Sequence, residues 1–132
     1  MRVHELVLPS GAHCAVAEPA QALSGELRPL VLCLHFGGPV SPWYGRGLLE
    51  QLVAPALAAT GAVMVAPDYA SNAWADAPCA ACALEAIELA VADFQADVTR
   101  VLLTGYSKGG IGTWTLGAHY AERFSATVVM AG

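Results

Sequence analysis

Basic residues are few. Six Lys and Arg stand against eleven Asp and Glu in 132 residues, a formal net charge of −5. A nucleic-acid partner would demand clustered cations, and the chain gathers none. Charge of either sign is scarce at 13%, against 56% apolar residues and a mean hydropathy of +0.52. Most of the sequence therefore reads as the interior of one globular domain, long enough to bury a core. Long unbroken hydrophobic runs are missing too. The longest uncharged stretch, residues 51–67, is interrupted by Pro55, Thr60, Gly61 and Pro67, which suits a buried helix and then a strand better than a membrane span. The opening residues carry Arg2, Glu5 and Pro9 and no apolar leader. The expectation is a cytoplasmic protein without a membrane partner.

Cysteine is also thin, with four residues. Cys14 and Cys33 lie in apolar runs and read as small core residues. Cys79 and Cys82 form a C-x-x-C, but it sits in an alanine-rich helical stretch without a second pair or a nearby His pair. Helix packing is the expected role, with no metal and no cofactor.

What is present is an alternation of apolar runs and helical patterns. Residues 3–8 and 14–17 flank Pro-Ser-Gly and predict an opening β-hairpin. A polar connection follows over 21–26. Residues 29–35 form a nearly continuous apolar run, as expected of a strand buried on both faces. A Gly- and Pro-rich loop, 36–47, precedes a helical pattern carrying Leu48, Leu49, Leu52, Val53 and Leu57, bent or ended near Pro55. Residues 62–66 predict a second buried strand, followed by the loop 67–74. Asp76 and Pro78 mark a helix start, with Leu84, Ile87, Val91 and Phe94 on its apolar face. Asp97, expected in a turn, and Thr99 lead into a third strand at 100–104, then a helix from Gly109 to about Arg123, and a last strand at 126–131. This order predicts an α/β fold, a mostly parallel sheet of about six strands with helices on both faces. The loops after 35, 66 and 104 then converge on the sheet edge where such folds bind ligands.

At that edge lies Gly105-Tyr106-Ser107-Lys108-Gly109-Gly110. A G-x-S-x-G between a strand and a helix can form a nucleophile elbow, with the serine at the tip of a strained turn. The alternative is a serine that only caps the following helix. In the first case Ser107 is the nucleophile of an acyl transfer. The Lys108 N–H is then one oxyanion donor, and Gly37, with Phe36 as the alternative, supplies the second.

Three segments carry a family resemblance: His35-Phe-Gly-Gly, Val65-Ala-Pro-Asp-Tyr69 and Leu103-Thr-Gly-Tyr-Ser-Lys-Gly-Gly-Ile-Gly-Thr-Trp114. With Phe124-Ser-Ala-Thr-Val-Val-Met-Ala-Gly132 they resemble the α/β-hydrolase superfamily. Within it they are similar to bacterial carboxylesterases and peptidase-like relatives near polyhydroxybutyrate depolymerase-like and prolyl-oligopeptidase-type esterases. The resemblance runs along essentially the whole chain and implies a serine hydrolase acting on a small ester. Phe36 departs from it, because relatives usually carry glycine there. The resemblance also implies a triad in the order Ser, acid, His, with the last two on loops after later strands. The 132 residues therefore resemble an amino-terminal portion, ending at a sixth strand. It further implies that His35 is a structural residue of the oxyanion loop and that Asp68 fixes a loop.

The other histidines are badly placed for a base. His4 and His13 belong to the opening hairpin, and His119 would stand roughly 18 Å along its helix from Ser107 at about 1.5 Å per residue. Trp43, Tyr44, Tyr69 and Trp74 occupy loops at the active edge. Phe36, Tyr44, Tyr69, Trp74 and Tyr106 are the candidates for lining a substrate pocket. A different class of function is association: the sheet edge left open after 126–131 would let the chain form a homo-oligomer.

Overall fold

The computed structural model describes residues 1–20, 25–69 and 73–132. The connection expected over 21–26 and the middle of the loop 67–74 thus fall partly outside the described residues. Six strands form one sheet: β1 (Arg2–Val7), β2 (His13–Glu18), β3 (Arg28–Leu34), β4 (Val63–Pro67), β5 (Ala96–Tyr106) and β6 (Ala126–Met130), in the order β1-β2-β4-β3-β5-β6. The hairpin β1–β2 is antiparallel and β2 meets β4 antiparallel, while β4, β3, β5 and β6 run parallel. The expected mostly parallel α/β sheet is present.

Alternation along β3 and β4 explains why both faces are covered. Leu30, Leu32, Leu34, Val63 and Val65 enter one core with α3 (Ala77–Asp93) and Leu116 of α4 (Lys108–His119). Val31, Cys33, Met64 and Ala66 enter the other, against Leu48, Leu49, Val53 and Ala54. Strands apolar on both sides need helices on both sides, and the chain supplies them.

Three elements differ from expectation. The segment after the Gly-Pro loop is a broken helix: α1 (Gly45–Leu48), a π turn (Leu49–Val53), α2 (Ala54–Leu57) and a 3-10 turn (Ala58–Thr60). Pro55 lies at the start of α2, and the wider turn before it avoids the clash its ring would make in a continuous α-helix. In α3 the buried stripe is Cys79, Ala80, Cys82, Ala83, Ala86, Ile87 and Ala90, while Val91 is exposed. Small side chains let this helix lie close to the sheet; Ile87 is buried among them and Leu84 and Phe94 pack partly against the same core, as expected. Both cysteines of the C-x-x-C are buried in that stripe. Finally, β5 begins at Ala96, so Asp97 lies inside the strand. Its carboxylate accepts from the Thr99 N–H and hydroxyl and from Arg100 Nε, which hold its pKa down at about 2. Among the described residues no helix is long and apolar enough to cross a membrane.

Candidate functional site

The turn from β5 into α4 is built on absent side chains. A Cβ on Gly105 would stand 2.1 Å from the Gly109 carbonyl oxygen, and one on Gly109 would stand 1.8 Å from that of Leu34. Real atoms do not approach so closely, so the strand, turn and helix can pack in this way only with glycine at both positions. Between them Ser107 adopts φ 54°, ψ −112°, a conformation foreign to most side-chain-bearing residues. Its N–H donates to the Met130 carbonyl at the end of β6 (2.8 Å), and its carbonyl accepts from the Ile111 N–H (3.0 Å). The side chain is exposed and makes no capping bond to α4. The helix-cap alternative therefore does not describe this serine.

The loop leaving β3 comes up beside it. The Lys108 stem crosses Gly37, with its Cδ 3.2 Å from where a Gly37 Cβ would be. Lys108 opens α4, so its N–H has no intrahelical acceptor, and neither it nor the Gly37 or Phe36 N–H donates to a protein group among the described residues. Unpaired amides from both loops thus stand near Ser107. Gly38 takes φ 126° and closes the loop under the Tyr44 hydroxyl, which donates to the Gly37 carbonyl (3.1 Å).

His35 lies beneath, fully buried. One ring nitrogen, Nδ1, is 2.8 Å from the Phe36 carbonyl, and Nε2 is 3.4 Å from the Tyr69 N–H. A carbonyl can only accept and an N–H can only donate, which fixes the neutral tautomer with its proton on Nδ1. Burial lowers the pKa and keeps the ring uncharged. Tyr44, Tyr69 and Trp74 pack edge-on around it, with ring centroids at 5.0, 4.5 and 5.1 Å. With both nitrogens engaged, His35 braces the site and is not available as a base. Asp68 is also a brace: its Oδ1 accepts from the Gly45 N–H (3.1 Å), tying the loop after β4 to the start of α1.

The aromatic candidates separate. Phe36, half-buried, meets Tyr44 at 5.5 Å and Tyr106 at 6.2 Å, and Tyr106 is exposed, so these three form a wall beside Ser107. Tyr69 is buried, with the Lys108 ammonium over its ring at 5.6 Å. Trp74, expected to line the pocket, does not. It is 1% exposed, its indole N–H donates to the His35 carbonyl (3.1 Å), and its Cβ is held against Gly112. Packed against His35, Tyr69 and Gly112, it supports the site from below. Trp43 is farther off, bonded to the Leu6 carbonyl and stacked near His13 at the hairpin.

Two contributors escaped the sequence. The Met130 carbonyl anchors the serine backbone, a pairing that depends on β6 register and leaves no mark in the primary structure. The elbow pattern assigns a role only to the Lys108 backbone N–H and is silent on the side chain, the sole lysine in the chain. That composition was the available signal.

The mostly parallel six-stranded sheet with helices on both faces has the fold of solved α/β-hydrolase structures. An acetyl xylan esterase from Aspergillus awamori superposes with a TM-score of 0.79 at 18% identity, covering 98% of this chain and 51% of that protein. A thermostable esterase gives 0.73 at 19% identity, over 97% of this chain and 39% of that one. A puromycin-hydrolyzing peptidase from Mycobacterium tuberculosis gives 0.65 at 23%, over 96% and 21%. The chain thus spans about half or less of these solved structures. No family model and no curated protein matches the sequence.

Proposed function

We propose that the chain carries the nucleophile and oxyanion half of a serine hydrolase acting on small carboxylic esters. The observation that carries this reading is Ser107: a non-glycine residue held at positive φ, exposed, with no capping bond to account for it. Such strain, of order 1–3 kcal/mol, persists where surrounding packing enforces it and is concentrated at functional sites. Ser107 Oγ attacks the ester carbonyl carbon as its proton passes to a base. The carbonyl oxygen gains charge and takes hydrogen bonds from the Lys108 N–H and from Gly37, or in its place Phe36. Collapse of this intermediate expels the alcohol, which takes up the proton, and leaves an acyl-serine that water cleaves. Esterase neighbours support the ester class.

None of the four histidines supplies the base. His35 has both nitrogens engaged, His4 and His13 lie on β1 and β2, and His119 ends α4, roughly 18 Å from Ser107 by helix rise. The base lies beyond residue 132 or on another chain, and the 132-residue chain turns over poorly alone. Free imidazole should stand in for it. With imidazole present, an activated ester acylates Ser107 once per chain by intact mass and peptide mapping, and Ser107→Ala abolishes the adduct. Equal acylation of the alanine variant would sink the assignment.

A second reading, association through self-pairing, is favoured by the margin of the sheet. The β6 edge is unpaired, contains no charge or proline, and leaves Val128 exposed beside an apolar cavity of about 160 Å³ lined by Leu52, Ala56, Leu102 and Met130. Edges without charge or proline invite pairing. A two-fold partner copy can pair its own β6 antiparallel to it, because the same surface serves both sides. Sedimentation reads the outcome: a concentration-dependent dimer lost in Val128→Lys supports it, and a monomer at all concentrations removes it.

A further inference from the structure

We infer that the Lys108 side chain selects substrates carrying an anionic group, a carboxylate foremost, close to the scissile ester. This rests on Ser107 as nucleophile and names the substrate class for that site. Lys108 is the only lysine in a chain of net charge −5. The arginines at 28, 46, 100 and 123 each face a carboxylate, on Glu18, Glu5 and Glu50, Asp97 and Glu88 respectively. Lys108 forms no ion pair among the described residues. The carboxylate of the adjoining loop, Asp68, is buried and bonded to the Gly45 N–H.

Its position is also defined. The stem is laid across Gly37 and the ammonium stands 5.6 Å from the centre of the Tyr69 ring. The cation is therefore held at the junction of the elbow, the loop after β3 and the loop after β4, the three segments that surround a bound ester. A ring face steadies an ammonium without neutralising it. Around it the remaining wall, Phe36, Tyr44 and Tyr106, is aromatic and offers no acid. An anionic substituent on the ester supplies the missing partner, against the repulsion of an acidic protein.

The test compares two activated esters of matched length, p-nitrophenyl hemiglutarate and p-nitrophenyl pentanoate. With imidazole as base, the rate of Ser107 acylation by each is followed by intact mass, and the ratio of anionic to neutral rate is the readout. The ratio falls about five- to tenfold in Lys108→Met, as expected for one partly exposed charge pair. It falls further in Lys108→Glu and returns in Lys108→Arg. In the native chain it shrinks in 0.5 M salt, where charges more than a few ångströms apart are screened. Methionine keeps most of the stem over Gly37, so loss of packing alone would leave the ratio unmoved. A ratio equal in all four proteins overturns the inference, while continued acylation by the neutral ester keeps Ser107 as nucleophile. Failure of both esters to modify Ser107 overturns both.

Discussion

The elbow and the β6 margin adjoin each other and are built on opposite principles. At the elbow, backbone is packed on backbone: Gly105 against Gly109, Gly109 against Leu34, and Gly110 with its missing Cβ 2.6 Å from the Met130 oxygen. Along β6, Ala126, Thr127 and Val128 are exposed and the outer edge has no strand beside it among the described residues. One region is over-determined and the other is open. The difference teaches that backbone can be fixed closely around one turn while the sheet margin beside it stays exposed, because the turn depends on β3, β5 and the inner side of β6.

The strongest way to break this contrast is Gly109→Ala. Its methyl would overlap the Leu34 carbonyl, and overpacking against backbone should cost about 3 kcal/mol or more, read by urea denaturation. Gly117→Ala, near the end of the same helix, meets the Thr127 methyl at 3.1 Å and Leu103 at an ordinary contact distance of 3.7 Å. It should be near neutral, because alanine's better helix propensity of about 1 kcal/mol offsets a small shift. Equal losses at the two positions would erase the distinction.

Next in size is Ser107→Gly. It removes the nucleophile and the strain together, so acylation disappears while the chain gains about 1 kcal/mol. A loss of stability would mean that the positive φ is not costly here.

The buried histidine that braces the site gives a pH test. His35 is neutral when folded, with a pKa below its ordinary 6.5. The unfolded chain therefore takes up a proton that the folded chain refuses. Stability is fully present above about pH 6.5 and declines as pH falls below it. Thermal unfolding between pH 5 and 8 should show this slope, and His35→Gln should flatten it. The smallest effect belongs to the margin: Val128→Lys should alter folding stability by no more than about 0.5 kcal/mol while changing sedimentation.

Much of the fold was legible because its signals are local. The apolar runs at 29–35 and 62–66 had no polar alternation, and they became β3 and β4 with helices on both faces. Glycines at 105 and 109 bracketed the serine, and the structure places backbone where their side chains would be. What escaped depended on depth and distance. Trp74 carries the same label in sequence as any loop aromatic, and only the approach of Gly112 buries it. The inner stripe of α3 was hidden because alanine and cysteine give a weak periodic signal beside leucine and valine. The Lys108 side chain was overlooked because the elbow pattern assigns a role only to its N–H.

The bond from the Ser107 N–H to the Met130 carbonyl makes β6 a lever. The strand's inner end grips the residue that would do the chemistry, while its outer edge is free to be grasped by another strand. Because β6 is also paired with β5 from Leu102 to Tyr106, a shift of β6 would reach the serine through that ladder as well as through the 2.8 Å bond. The serine and the margin of the sheet thus share one strand.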